Sequence, residues 1–183
     1  MSSETIDSTG RSNREVFGEV YEEYLPRIYR YVSYRVSDAA TAEDITSVVF
    51  EKALVKFSDY CADRGALSTW LFTIARNAVV DYYRRRGRQP TVPLDNAPPL
   101  VEEGDPVAEE ITRREMRALL RFCLEILSRR EQDIVSLKFG AEATNRQISR
   151  LLWLTESNIG TILYRTMRKL RDCFQERSDV KRE

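Results

Sequence analysis

Apolar residues recur at the three- and four-residue spacing of amphipathic helices along most of the chain. A first such stretch begins at the capping pattern Ser-Asn-Arg-Glu of residues 12–15, and a second extends from residue 39 to about residue 57. A third covers residues 68–86, where Ser68 or Thr69 is expected to cap the start and Gly87 to end the helix. The pattern therefore predicts three helices that form a first, all-α domain.

The helical pattern resumes near residue 107 and continues almost to the end of the chain. Capping boxes at residues 128–131 and 144–147 mark the starts of two further helices, the first of which is expected to end at Gly140. The second is short, and Trp153 and the following leucine make a turn before a longer last helix. A short helix, a tight turn and a longer helix are typical of a helix-turn-helix.

Residues 89–108 are rich in proline and acidic residues and have no helical period, so we interpret them as a flexible linker. The polar residues 1–12 are expected to be disordered. The predicted fold class is all-α, with two small helical domains joined by the linker and a helix-turn-helix in the second. The predicted division is a disordered start (1–12), a first domain (13–88), a linker (89–108), a second domain (109–176) and a tail (177–183).

The composition lacks several residues and patterns that catalytic and metal-binding sites require. The 29 basic and 29 acidic residues cancel, and the chain has no histidine, no metal-binding pattern of carboxylates and no glycine-rich phosphate loop. We therefore expect neither an enzyme nor a bound cofactor or metal. Cys61, Cys123 and Cys173 are far apart in sequence and are expected to be unpaired, as in a reducing compartment. With no apolar leader and no membrane-length apolar stretch, the chain is expected to be cytoplasmic and not inserted in a membrane.

The third predicted helix has a second, polar stripe beside its apolar one. The stripe is formed by Trp70, Thr73, Asn77, Asp81 and Arg84, and it leads into Arg85 and Arg86. Arginines neutralise phosphates and aromatic rings stack on unpaired bases, so this combination suits single-stranded nucleic acid. An ordinary solvated helix face with a partly buried tryptophan would give the same pattern, and the stripe alone leaves both interpretations open.

The last helix has an outward line of residues that could contact DNA. They are Ser157, Asn158, Thr161, Arg165 and Arg168. Short hydrogen-bonding side chains can read base edges in the major groove, and arginines can contact phosphate or guanine. Because many short helical hairpins bind no DNA, the pattern by itself indicates a DNA-binding surface without establishing one.

Three segments resemble one known family. Residues 68–86, STWLFTIARNAVVDYYRRR, are similar to the WL-x-x-IARN-x-x-x-D-x-x-RR signature of extracytoplasmic-function (ECF) sigma factors. These are the small two-domain members of the sigma-70 family, which direct bacterial RNA polymerase to promoters. Ala-Glu-Asp-Ile at residues 42–45 resembles a second family segment, and residues 127–131 with 147–170 resemble the family's second domain.

The resemblance implies a sigma subunit that binds core RNA polymerase and promoter DNA. Asp44, Ser47 and Glu51 lie where the family contacts the polymerase. The Trp70 helix and the loop before it lie where the family holds the melted strand of the minus-ten element, with Arg76, Asn77 and the arginines at 84–86 among the strand contacts. The last helix corresponds to the one that reads the minus-thirty-five duplex, and family habit implies an anti-sigma factor as a further partner.

The chain departs from the family pattern at a few positions. Ser47 and Val48 replace a usual Gln-Glu pair, Trp153 replaces the usual glycine of the helix-turn-helix turn, and Gly160 and Ile162 replace usual basic residues. The alternative interpretation is a stand-alone helix-turn-helix regulator whose first domain is an interaction module. That protein would bind duplex DNA tightly without polymerase.

Overall fold

The computed structural model of the chain describes residues 13–36, 38–87 and 108–180, and within these ranges it contains helices and turns but no strands. The predicted all-α class is confirmed. The predicted disordered start (1–12) lies outside the described residues, as do residues 89–107 of the predicted linker and the last three residues of the tail. Within the described ranges, no helix is both long and apolar enough to cross a membrane.

The first half of the chain forms three helices, α1 (Asn13–Ser33), α2 (Ala39–Val55) and α3 (Leu67–Arg85). Short 3-10 turns at Phe57–Asp59 and Ala62–Arg64 connect α2 to α3. The helix α2 packs against both of the others, so the three helices share one apolar core.

One prediction about the ends of α3 is confirmed and one is wrong. Gly87 takes a left-handed conformation directly after the helix, as expected of a residue that ends it. The helix begins one residue early, however, and its N-cap is Ala66, which makes no side-chain capping bond. Neither Ser68 nor Thr69 acts as a cap, and the Ser68 hydroxyl instead accepts a 3.4 Å hydrogen bond from the Gln147 amide.

The second half forms α4 (Ala108–Glu125), α5 (Arg129–Val135), α6 (Asn145–Leu152) and α7 (Glu156–Val180). Both predicted capping boxes, Ser128 with Glu131 and Thr144 with Gln147, are present. The expectation for Gly140 is wrong, because α5 runs into a π-helical turn (Ser136–Gly140) and the left-handed residue is Glu142.

The predicted helix-turn-helix is formed by α6 and α7. Trp153 takes the left-handed conformation between them, and its backbone N–H donates to the carbonyl of Ser149. Thr155 then caps α7, with its hydroxyl accepting from the backbone N–H of Asn158 at 3.2 Å. The turn thus has the geometry expected of a glycine in this position, although a tryptophan occupies it.

Residues from both halves of the chain build a single large apolar core. Its most deeply buried members include Tyr31 of α1 and Phe72 of α3, packed edge to face, together with Leu137, Ile148 and Ile159 from the second half. The helix α3 packs against α2 on one side and against α6 on another. Its buried residues are Leu71, Phe72, Ala75, Ala78 and Val79. Val48 and Leu54 of α2 lie outside this core and are 38% and 53% exposed.

A smaller apolar cluster joins α4 to α7. At its centre, Cys123 and Cys173 form a disulfide. The expectation that all three cysteines are unpaired is therefore wrong for these two, whereas Cys61 is free. The pair is 50 residues apart in sequence, and the packing of α4 on α7 brings the two sulfur atoms together.

Candidate nucleic-acid interface

The polar stripe of α3 faces solvent over most of its length. Thr73, Asn77 and the three arginines 84–86 are exposed, and Trp70 and Asp81 are half-buried. The hydroxyl of Thr73 donates to the carbonyl of Thr69 one turn earlier, which leaves its oxygen open to accept a further bond. The stripe thus presents amide, hydroxyl and guanidinium groups along one line of the helix.

Trp70 belongs to an aromatic cluster at the start of this stripe. Its ring centroid lies 5.4 Å from that of Tyr60 and 6.4 Å from that of Phe57. The Tyr60 hydroxyl donates to the carbonyl of Gly65 at 3.0 Å, which holds the loop between α2 and α3 beside the helix. All three rings are partly exposed, so the cluster offers aromatic surface next to the polar stripe.

The basic end of α3 is only partly neutralised by its neighbours. Arg84 forms an ion pair with Asp81 at 3.2 Å, and Lys52 of α2 lies 3.8 Å from the other oxygen of the same carboxylate. Arg86 stacks on the ring of Tyr82, with 5.4 Å from its guanidinium carbon to the ring centroid, and donates to its hydroxyl. One carboxylate therefore faces two cations, and the end of the helix stays electropositive.

Arg76 is the one candidate strand contact of α3 whose guanidinium is paired with the second half of the chain. Its Nε lies 3.4 Å from Oδ2 of Asp133 in α5, whose side chain is 12% exposed. Arg35 closes the other side of this carboxylate, with 2.7 Å between its guanidinium nitrogen and Oδ1. Sequence reasoning missed Asp133, because nothing in the pattern of α5 distinguishes this carboxylate from a solvated one.

The predicted reading face of α7 is exposed along its whole length. Ser157, Asn158, Thr161, Arg165 and Arg168 all face solvent, while Ile159, Thr166 and Leu170 on the opposite side are buried. The Thr161 hydroxyl donates to the carbonyl of Ser157 at 3.0 Å. The helix is therefore held by its apolar side and leaves its polar side free for a groove.

Two exposed aromatic residues beside this face were not predicted. Tyr164 is 73% exposed and Trp153, in the turn before α7, is 92% exposed. Tyr164 lies three residues after Thr161, so helical spacing alone could have placed it on the reading face. The exposure of Trp153 depends on its left-handed backbone, which the sequence does not reveal.

The predicted polymerase-docking residues Asp44, Ser47 and Glu51 lie on one exposed face of α2. Val48 is exposed beside them. Ser47 also lines a shallow, mainly apolar groove between α1 and α2, which is bordered by Leu25, Pro26, Tyr29, Glu43 and Thr46. This face combines carboxylates with apolar surface, a composition that suits a protein partner better than DNA.

Fold and surfaces together define an all-α protein with a helix-turn-helix and two separate candidate nucleic-acid surfaces. The family model "Sigma-70 region 2" matches residues 20–89, and the model "Sigma-70, region 4" matches residues 123–172. The two matches together cover more than half of the chain. The chain belongs to the sigma-70 family.

Relatives within the family are ECF sigma factors. The chain is 28% identical over 167 residues to the ECF RNA polymerase sigma factor BldN of Streptomyces coelicolor, covering 91% of this chain and 63% of BldN. It thus spans less than two thirds of that relative. It is 25% identical over 156 residues to the ECF RNA polymerase sigma factor SigM of Bacillus subtilis, covering 85% of this chain and 93% of SigM. The ECF resemblance stated from the sequence is confirmed.

Solved structures with a similar fold include two complexes. The sigma factor RpoE, crystallised with the anti-sigma factor NepR from Bartonella quintana, superposes with a TM-score of 0.69 at 18% identity, covering 88% of this chain and 98% of that one. CnrH, in complex with the cytosolic domain of CnrY, gives a TM-score of 0.66 at 15% identity and 92% coverage of both chains. At these identities the comparison supports the fold.

Proposed function

We propose that this protein is a promoter-specificity (sigma) subunit of bacterial RNA polymerase. It binds core polymerase through α2, captures the opened minus-ten strand along α3 and reads the minus-thirty-five duplex with α7. The observation that carries the proposal is the presence, in one sigma-70 chain, of two exposed polar stripes on different helices, one beside an aromatic cluster and one on a helix-turn-helix. Such a protein changes no covalent bond, so its mechanism uses binding energy alone.

Strand capture follows from the chemistry of α3. An unpaired base can stack on the partly exposed rings around Trp70, which is worth roughly 1–3 kcal/mol per base. Thr73 and Asn77 supply hydrogen-bonding groups along the same line, and Arg84 to Arg86 supply positive charge for phosphates. These contacts form only when the strand is open, so they offset the cost of unpairing, which is about a few kcal/mol per extruded base.

Duplex reading follows from the position of α7 in the helix-turn-helix. A recognition helix enters the major groove with its N-terminal part foremost. Ser157, Asn158 and Thr161 then face the base edges, and Arg165 and Arg168 lie farther along the same face, within reach of phosphates. Gly160 and Ile162 leave the early part of this helix without the basic residues usual in the family, so affinity for this element depends more on the later arginines.

Polymerase docking is assigned to the exposed face of α2 that carries Asp44, Ser47 and Glu51. Val48 replaces a polar family residue at the same place, and its side chain is exposed beside the apolar groove that Ser47 lines. Docking at this face therefore relies more on apolar contact and less on hydrogen bonding than in relatives with Gln-Glu.

An anti-sigma factor is the further partner that the family implies. The similar structure of RpoE holds a sigma factor with the anti-sigma factor NepR, and we extend this type of partner to the present chain. A subunit of RNA polymerase acts where the chromosome is transcribed, so we assign the protein to the cytoplasm.

The test is transcription in vitro with purified core polymerase, this protein and a genomic fragment library, followed by sequencing of the transcript starts. We expect discrete starts that share one upstream element near minus ten and another near minus thirty-five. The matched control is the same reaction without the protein, which should give no such starts. Tight duplex binding without polymerase, combined with no initiation, would instead support the stand-alone regulator.

A further inference from the structure

Trp153, in the turn of the helix-turn-helix, presents its whole indole ring to solvent. Its side chain is 92% exposed, and no ring or guanidinium of the described residues stacks on it. Leu152 and Leu154, on either side of it in sequence, do pack against the large apolar core. The indole therefore contributes nothing to that core, although it is the largest side chain of the turn.

The turn itself does not need a side chain at this position. The backbone of Trp153 is left-handed, with φ 56° and ψ 44°, and glycine adopts this conformation without the steric conflict of a Cβ. Backbone atoms alone close the turn, because the N–H groups of Trp153 and Leu154 both donate to the carbonyl of Ser149. Glycine would build the same turn with less strain, so the tryptophan serves something outside the folded chain.

The turn places Trp153 at the end of the recognition helix that meets DNA first. Thr155 caps α7 only two residues later. In a helix-turn-helix the second helix enters the major groove with its N-terminal part foremost, and the first helix crosses the sugar–phosphate backbone. A side chain in the turn between them lies at the edge of the groove, beside the backbone of one strand.

The charge around the turn favours DNA as the partner. Residues 143–171, which contain the helix-turn-helix and its reading face, include six basic residues and a single acidic one, Glu156. Arg146 and Arg150 are exposed one turn apart on α6, and neither guanidinium forms an ion pair with a described residue. Interfaces with DNA are much more positively charged than interfaces between proteins. An exposed indole among unpaired cations therefore suits a duplex better than a protein surface.

We infer that Trp153 contacts the duplex backbone, with its ring over a deoxyribose and its indole N–H donating to a phosphate, next to phosphate contacts from Arg146 and Arg150. The inference rests on the proposed function, because it takes α7 as the helix that reads the upstream element. An indole can donate to a phosphate and has no acceptor of its own that the phosphate would repel. It supplies affinity at the end of α7 where Gly160 and Ile162 replace basic residues.

The test is footprinting of the upstream element by holoenzyme made from core polymerase and full-length protein. Trp153→Gly should weaken this footprint about tenfold, and Trp153→Phe less, because it keeps a ring and loses only the N–H. Because tryptophan is neutral, neither variant should change the slope of log affinity against log salt. Arg150→Ala, the charged comparison from α6, should lower that slope by about one.

A second DNA fragment distinguishes a backbone contact from a base contact. It carries a base-pair change in the upstream element that weakens binding of the wild-type holoenzyme. A contact to sugar and phosphate is blind to sequence, so Trp153→Gly should lose the same factor on both fragments. A loss on only one fragment would make Trp153 a base contact and overturn the assignment.

Two further measurements exclude an effect through the fold. Glu142 is the other left-handed residue besides glycine among those described, so Glu142→Gly makes the same backbone change a few residues away. This control should bind at least as tightly as wild type, since removal of a carboxylate does not weaken binding to a polyanion. In urea, Trp153→Gly should unfold at a higher midpoint than wild type, because it relieves the left-handed strain and removes no buried surface. A lower midpoint would show that the indole supports the fold and would contradict the inference.

Transcription and assembly separate the remaining outcomes. If wild type initiates with core polymerase and Trp153→Gly footprints as tightly as wild type, the inference is wrong and the proposed function stands. If Trp153→Gly instead binds core polymerase more weakly in a gel-mobility assay, Trp153 contacts a protein and the inference is again wrong. If wild type does not initiate at all, the proposed function fails, and the inference that rests on it fails too.

Discussion

Cys123 of α4 and Cys173 of α7 are joined by a disulfide that encloses a segment of the chain 50 residues long. Both residues are buried in the apolar cluster between the two helices. The bond ties the first helix of the second half to the recognition helix, which reaches from this cluster to the helix-turn-helix. The helix α7 is therefore held against α4 by a covalent bond as well as by apolar packing.

We expect reduction of this disulfide to destabilise the protein. Closing a loop of this length removes chain entropy from the unfolded state worth about 4 kcal/mol at 25 °C. Urea unfolding of the same chain with and without dithiothreitol should show a lower midpoint for the reduced form. Cys61→Ser should unfold at the same midpoint as wild type when oxidised, since Cys61 is free. Equal midpoints for oxidised and reduced protein, with thiols counted in each, would contradict this prediction.

Asn77→Ala should impair promoter opening more than it impairs binding to core polymerase. Asn77 is exposed in the middle of the α3 stripe, on a different helix from the assigned docking face. Loss of its hydrogen bonds to an opened strand should cost about 1–3 kcal/mol, or roughly 5- to 150-fold in opening. Permanganate reactivity of unpaired thymines measures opening, and gel mobility measures assembly with core.

The matched comparison for Asn77 is Glu51→Ala on the exposed face of α2, which should show the reverse pattern. Assembly with core should weaken, while opening by the holoenzyme that still forms should stay near the wild-type level. If Asn77→Ala abolishes assembly instead, our assignment of the α3 face is wrong.

Arg165→Ala should weaken contact with the upstream duplex element. Arg165 is exposed on the reading face of α7, one turn beyond Thr161. If it contacts a phosphate, its loss should lower the slope of log affinity against log salt by about one. Footprinting of the holoenzyme at several salt concentrations measures the slope. Arg177→Ala is the control and should leave the slope unchanged, because the Arg177 guanidinium stacks on Phe122 of α4, 3.7 Å from its ring centroid, and not on the reading face.

The local features of this fold could be predicted from the sequence because each depends on a few neighbouring residues. Each capping box forms because the side chain of one residue bonds to the backbone N–H of a residue three positions away. The box at Thr144 and Gln147 also fixes the start of the first helix of the helix-turn-helix. The contacts between distant segments could not be predicted in this way. Asp133 and Arg35 are 98 residues apart in sequence, and helical spacing says nothing about contacts between residues of different helices. The same reason applies to the cysteine pair.

The same limit explains which site residues were found. Helical spacing identified the exposed residues of α3 and α7, because one face of a helix is visible in its own sequence. It did not show that Phe72 and Arg76 of α3 face the second half of the chain, since that depends on where α6 packs. Gly140 was assigned to a helix end, the commonest role of glycine there, whereas its lack of a side chain serves the close approach to Tyr31.

Glu131 gives the fold a measurable dependence on acid. Its Oε2 accepts from the backbone N–H and the hydroxyl of Ser128, at 2.9 and 2.8 Å, and Lys169 of α7 donates to Oε1 at 2.7 Å. Burial by itself would raise the pKa of Glu131, but the Lys169 and Ser128 hydrogen bonds outweigh it and hold the pKa below the usual 4.5. The capping box of α5 and the link to α7 thus share one carboxylate.

A pKa that is lower in the folded than in the unfolded state means that the unfolded chain binds more protons in the acid range. The stabilisation from Glu131 is therefore complete above about pH 4.5 and is lost as the pH falls through the lower folded-state value. Glu131→Gln keeps a hydrogen-bond acceptor for Ser128 and removes the titration. Its free energy of unfolding should thus fall less steeply than that of wild type below about pH 4.5. Lys169→Met removes the cation and should likewise make the free energy of unfolding depend less on pH in this range. Urea unfolding from pH 7 to pH 3 measures this dependence. The same pH dependence in wild type and both variants would contradict the role given to Glu131.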